Sequence, residues 1–179
     1  MKSNIRYTAH CALILAAILA CAIPAATQVM SPPAKTGCKF SDGKTIKVIY
    51  SSPRMRGRKI FGDLVPYGEE WRMGADEATS LETNNNLLVG GKAVPAGRYT
   101  LFALPTPTKW TLIVSKKIGE WGIPYPGAQF DFARIEMKIS KLGAPQENFT
   151  ISFDESGESC TMKLDWETTR AAIQMTEKK

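Results

Sequence analysis

The residues best equipped for chemistry are crowded into positions 51–79, SSPRMRGRKIFGDLVPYGEEWRMGADEAT. Arg54, Arg56, Arg58, Lys59 and Arg72 stand there with Asp63, Glu69, Glu70, Asp76 and Glu77, and Tyr67 and Trp71 lie among them. Three chemistries follow from those types. Guanidinium forks bind phosphate, sulfate or carboxylate through paired hydrogen bonds, so the run Arg54, Arg56, Arg58 can cradle an anion. Glu69, Glu70, Asp76 and Glu77 supply carboxylates for a glycosidase-type acid and base, which depends on a defined separation and on environments that split their pKa values. Tyr67 and Trp71, with Trp110, Trp121 and Tyr125 farther on, offer stacking faces for a sugar or an aromatic ring. Trp110 lies on an apolar run and reads as core, whereas Trp121, in the turn EWGIPYPG, reads as a pocket wall. The structural alternative carries more weight: a loop this long needs internal ties to stay ordered. Arg58, Arg72, Asp76 and Glu77 are therefore expected to form one charge network that pins it.

Several functions are excluded by composition. The only histidine, His10, lies in the N-terminal apolar leader, so histidine-activated nucleophiles, histidine acid–base catalysis and imidazole zinc sites are all out of reach of the mature chain. No GxxxxGK[ST] phosphate loop and no EF-hand calcium loop occurs. No metal site and no cofactor is assigned.

The leader itself, residues 1–27, reads as an export signal. Lys2 and Arg6 precede an uncharged apolar run too short for a comfortable membrane span. Two processing routes remain open: cleavage after small residues near Ala25–Thr27, or lipidation at Cys21 within the sequence Ile-Leu-Ala-Cys. Removing Lys2 and Arg6 from the 23 basic residues leaves 21 against 17 acidic ones, a net charge of +4. That balance suits solubility and falls short of the one-sided field of a nucleic-acid binder. Cys38 and Cys160 are the only cysteines beyond the leader. In an oxidising exported setting such a pair is expected to form a disulfide.

The elements that must position these residues are strands. Residues 45–50, 134–139, 148–153 and 160–166 alternate apolar and polar side chains, the pattern of half-buried strands. Residues 98–104 and 110–114 are more continuously apolar, as central strands covered on both faces would be. Further short strands are expected at 81–83, 87–89 and 170–175. Turn signals separate them, among them Gly90-Gly91, Pro95-Ala96-Gly97, Gly143-Ala144-Pro145 and Ser156-Gly157. The expected fold is an all-β antiparallel sandwich, jelly-roll-like or immunoglobulin-like, with one long ordered loop. Residues 28–40 read as a spacer and 41–179 as the single domain; the one candidate helix is a turn or two within residues 64–73, where Pro66 suits a first helical position.

The run SPRxRGRxIFGxLVPYGxxWRxGADEAT, followed by VPAGRYTLF and later by EWG, resembles a secreted bacterial family catalogued as domain of unknown function 2911. The likeness runs from about Ile46 to Trp166. It implies an exported, mostly β domain and brings no activity with it. Where the family often has Asn-Glu, this chain has Asp76-Glu77, one negative charge more.

Together these features point to a protein of the periplasm or the secreted space, or to a lipoprotein. It would bind a small molecule, a glycan or an envelope protein through Arg54, Arg56, Arg58, Tyr67, Trp71, Arg72, Asp76, Glu77 and Trp121. No nucleic-acid partner is expected, and contact with a membrane only through a lipid at Cys21. The competing reading is a histidine-independent, carboxylate-based hydrolase acting on an envelope or extracellular glycan.

Overall fold

The computed structural model describes residues 31–179. The expected export signal with its candidate cleavage sites, and Cys21, lie outside the described residues. Nine strands follow one another: β1 (Pro33–Lys39), β2 (Thr45–Ser51), β3 (Ser80–Thr83), β4 (Leu87–Val89), β5 (Lys92–Val94), β6 (Gly97–Pro105), β7 (Trp110–Ser115), β8 (Asp131–Ser156) and β9 (Ser159–Glu177), with one 3₁₀ turn at Ala128–Phe130. The named strands all pair antiparallel, in the order β1-β2-β3-β6-β7-β8-β9-β4-β5. The all-β antiparallel sandwich expected from the sequence is what forms.

The nine-stranded order closes into a sandwich because β8 belongs to both sides. Its first residues pair with β7 up to the Trp110–Met137 match, and from Lys138 onward it pairs with β9. Between Lys141 and Thr150 the register slips twice, so that β8 spends more residues than β9 over the same length. Extra residues on one strand bend it and raise its twist, which is how a strand passes from one sheet to another. Gly143-Ala144-Pro145, expected to be a turn between two strands, is this bend within one strand.

Inward-facing residues of both sides form one core. Ile46, Val48, Leu101, Leu112, Met162 and Leu164 are almost fully buried, in step with the two-residue period of their strands. At one end an aromatic cluster closes the core: Trp71 lies against Trp166 (5.9 Å, 20° between planes) and Phe149 (4.9 Å), and Phe61 meets Trp110 edge-on at 4.7 Å. Edge-to-face and offset contacts of this kind suit the ring quadrupoles.

Two expectations are corrected here. Pro33–Lys39, read as part of a spacer, is the edge strand β1, in register with β2 from Pro33↔Ser51 to Lys39↔Thr45. Proline at the start of an edge strand costs no ladder bond, so Pro32-Pro33 did not forbid pairing. Residues 64–73 form no helix. Their backbone bonds go to β6 instead, with the Gly68 N–H donating to the Pro105 carbonyl and Trp71 exchanging bonds of 2.7 and 2.8 Å with Ala103.

The predicted disulfide joins Cys38 of β1 to Cys160 of β9, with Cα atoms 6.2 Å apart. It ties an edge strand to the opposite side of the sandwich.

Candidate functional site

The loop between β2 and β3, residues 52–79, is ordered because both of its ends are stitched to strands. Near its start Met55 N–H donates to the Glu147 carbonyl (2.9 Å), Phe149 N–H to the Pro53 carbonyl (2.8 Å), and the Ser52 hydroxyl to the Phe149 carbonyl (2.7 Å). These bonds hold it on the bent stretch of β8. Its later part continues the sheet beside β6: Trp71 pairs with Ala103, and Leu101 N–H donates to the Thr79 carbonyl at 2.7 Å.

That alignment decides which way the side chains point. Trp71, opposite inward-facing Ala103, enters the core, and its indole N–H donates to the Gly74 carbonyl (3.2 Å). Arg72, the next residue, therefore falls on the outer face beside Phe102. Phe102 and Ile113 are paired across β6 and β7 and fully buried, although they face away from the main core. The segment after β7 folds back over them, with Tyr125 edge-on to Phe102 at 5.1 Å.

A cleft of about 360 Å³ opens on this outer face, between two segments. One wall is Leu64, Val65, Pro66, Glu69, Glu70, Trp71 and Arg72; the other is Gly122, Ile123, Pro124 and Tyr125. Its rim is unusually apolar for a surface, with Leu64 44% and Ile123 67% exposed and neighbouring Trp121 57% exposed. Gly122 allows the two walls to meet: a Cβ there would lie 2.8 Å from the Arg72 Cβ and 2.9 Å from the Ala78 Cβ.

Two of the lining residues, Glu70 and Tyr125, are held by Arg134 of β8, which lies beside the cleft. Its guanidinium donates to Asp131 (2.6 Å), Glu70 (3.1 Å) and the Tyr125 hydroxyl (3.2 Å), and the Tyr125 hydroxyl in turn donates to Asp131 in a very short bond. Burial, with the hydrogen bond to Asp131 adding to it and Arg134 opposing it, pushes the Tyr125 hydroxyl up to about 12. Burial works against the charge on Arg134, but the bonds to Asp131, Tyr125 and Glu70 outweigh it and raise its pKa further. On strand spacing alone Asp131 and Arg134 would face opposite ways. The register shift at Val114/Ser115, which matches Ser115 with Asp131 and skips Phe132, puts them on one side.

Arg72 is placed differently. Its guanidinium lies over the Trp121 ring (5.7 Å) and makes one long bond, 3.4 Å, to the Trp121 carbonyl. Burial lowers its pKa, with Asp76 partly opposing this at a distance. Among the described residues it has no ion pair.

The other sequence-derived candidates scatter. Arg58 donates to the carbonyls of Met55 (3.0 Å) and Arg54 (2.8 Å), so it clasps its own loop. Arg54 bridges Asn148 through its backbone and buries an Nε without a partner. Arg56, at φ 50°, donates its N–H to the Glu147 carboxylate (2.9 Å). Tyr67 is 42% exposed, its ring lying over Gly62. Asp76 is exposed in a left-handed turn (φ 56°). Glu77 lines a separate groove of about 420 Å³ on the outer face of β2, β3 and β6.

The expected charge network is thus not formed: among the described residues no ion pair joins Arg58 or Arg72 to Asp76 or Glu77. The loop is tied instead by backbone bonds, by Trp71 and by the Glu70–Arg134 ion pair. Of the candidates, Trp71, Arg72 and Trp121 gather at the cleft. Glu70 and Tyr125 line it too, and Asp131 and Arg134 hold those two from outside the lining. Glu70 and Tyr125 were visible as residue types, but Asp131 and Arg134 carried no local signal beyond the polar side of a strand.

The groove is the larger concavity and the weaker site. In it Lys47, Glu82 and Arg98 lie opposite one another in register, so neighbouring charges alternate across the strands and offset each other. The cleft is lined by Arg72, a cation that no carboxylate contacts among the described residues.

A model of the family described as Protein of unknown function (DUF2911) matches residues 31–175. The chain belongs to this family. No curated protein and no solved structure matches it. The matched span takes in β1, the long loop, both walls of the cleft and Arg134.

Proposed function

We propose that this DUF2911 protein is an exported binding domain of the cell envelope that holds a small ligand in the cleft between residues 64–72 and 122–125, without catalysis. The observation that carries the reading is the cleft itself, a concavity of about 360 Å³ with an exposed apolar rim and a few fixed polar groups. That combination of size, apolar walls and sparse polar groups is characteristic of small-molecule sites, and it admits a single sugar ring or a molecule of similar bulk. Export is supported by the N-terminal leader and by the Cys38–Cys160 bond, since disulfides persist in oxidising compartments.

Binding is favoured over hydrolysis by the state of the carboxylates. A glycosidase needs an acid and a base in contrasting environments. Glu70 and Asp131 are instead both held by the same arginine.

Thermal shift against a library of small molecules and oligosaccharides tests the proposal, because a ligand that prefers the folded state raises its apparent stability. Compounds that raise the Tm of the wild type are expected to lose their effect in Ile123→Asp and keep it in Ile49→Asp, which alters the groove. Hits that survive Ile123→Asp and vanish in Ile49→Asp would move the site to the groove and overturn the reading.

A further inference from the structure

We infer that Arg72 is the recognition point for a ligand carboxylate, so that the cleft takes a small amphipathic monoanion: an acid whose apolar body lies on Leu64, Ile123 and Pro124. This rests on the cleft being the binding site. A guanidinium has five N–H donors, and among the described residues Arg72 commits one of them, over a long 3.4 Å bond. Its guanidinium carbon sits over the Trp121 ring at 5.7 Å, a cation–π contact that holds the group in place while using none of its N–H donors. Half-burial strips water from the charge, the same cause that lowers its pKa, and a charge so placed gains more from a partner than an exposed one does.

The surrounding charges select the kind of anion. Arg134 is occupied by Glu70, Asp131 and Tyr125, so it offers no second cation to a ligand. Glu69 and Glu70 stand on the same cleft wall as Arg72. A phosphate or sulfate dianion would bring two negative charges to one available cation beside those carboxylates. A carboxylate brings one. The apolar requirement comes from the opposite wall, where Ile123 and Pro124 present hydrocarbon to anything that reaches Arg72.

The experiment is calorimetric titration of the protein with 3-phenylpropionate and, separately, with its neutral amide, backed by Trp121 fluorescence. The acid is expected to bind at least about tenfold more tightly than the amide to the wild type. In Arg72→Gln that preference should disappear, and in Arg72→Lys it should fall part-way, since the charge remains and the fork is lost. Ile123→Asp should weaken both ligands. Circular dichroism confirms that each variant is folded, and Ile49→Asp, which alters the separate groove, should bind acid and amide as the wild type does and provides the control. Equal wild-type affinities for acid and amide would overturn the inference and leave the cleft reading standing. So would tighter binding of inorganic phosphate than of the acid. If no ligand of any class responds to Ile123→Asp, the cleft reading falls, and this inference falls with it.

Discussion

Arg134 shows how one side chain can organise a site that its neighbours in sequence do not announce. It holds Glu70 from the long loop, Asp131 from its own strand and Tyr125 from the segment over the outer face, so three stretches of chain meet at one guanidinium. The Tyr125 hydroxyl makes this network sensitive to alkali. Its pKa rises from an ordinary 10.0 to about 12, so between those values the folded state keeps a proton that the unfolded chain releases. The stability it contributes is complete below pH 10 and is lost as the pH rises toward 12. Denaturation midpoints measured from pH 9 to 12 should therefore fall more steeply in the wild type than in Tyr125→Phe. Tyr99 is also raised, by burial, and is present in both proteins, so the difference between the two curves isolates Tyr125. Parallel curves would show that the hydroxyl is not coupled to folding.

At the scale of elements, the cleft exists because two irregular segments are held as firmly as strands. Residues 68–71 run beside β6, the chain then loops out and closes with Thr79 N–H bonded to the Arg72 carbonyl, and Gly122 presses against Arg72 and Ala78. Gly122 has φ 88° and no space for a Cβ, which would meet those of Arg72 and Ala78. Both the backbone strain and the contact are relieved only if the walls separate. Gly122→Ala is expected to cost about 1–3 kcal/mol in equilibrium denaturation. It should also raise the quenching of Trp121 fluorescence by acrylamide, as the indole loses its contact with Arg72. A variant as stable as the wild type, with unchanged quenching, would mean that the walls are not in contact there.

For the whole molecule, the sandwich places its N-terminal edge strand far in sequence from the strand it is bonded to. The Cys38–Cys160 link closes a loop of sequence separation 122. Chain-entropy arguments assign such a loop about 4–5 kcal/mol of stabilisation through the unfolded state. The double variant Cys38→Ser, Cys160→Ser should accordingly lower the unfolding free energy in urea by about that amount. Its m-value is expected to rise, because an unlinked denatured chain is more expanded and exposes more surface. A loss below about 1 kcal/mol would contradict the entropic account.

The sequence by itself determined the strands whose side chains alternate, the burial of β6 and β7 on both faces, the disulfide pair, and the crowding of functional residue types into one ordered loop. These are local properties, set by a two-residue period, by turn residues and by composition. The edge strand β1 escaped because Pro33 and Gly37 break the apolar pattern that marks a strand, and its pairing comes from β2 rather than from its own propensity. The bend in β8 escaped because Gly143-Ala144-Pro145 has the composition of a turn whether the chain reverses there or merely changes sheets. At the site, the turn that carries Trp121 was legible, though Trp121 stands beside the cleft rather than in its lining, and the partners of the arginines were not. Arg72 and Glu77 are five positions apart, yet they face different concavities because the chain between them turns through left-handed Met73 and Asp76. Asp131 and Arg134 share a face only because of a register shift against β7. Which charges meet depends on registers and crossings between distant strands, and those are decided when the sheet closes on itself.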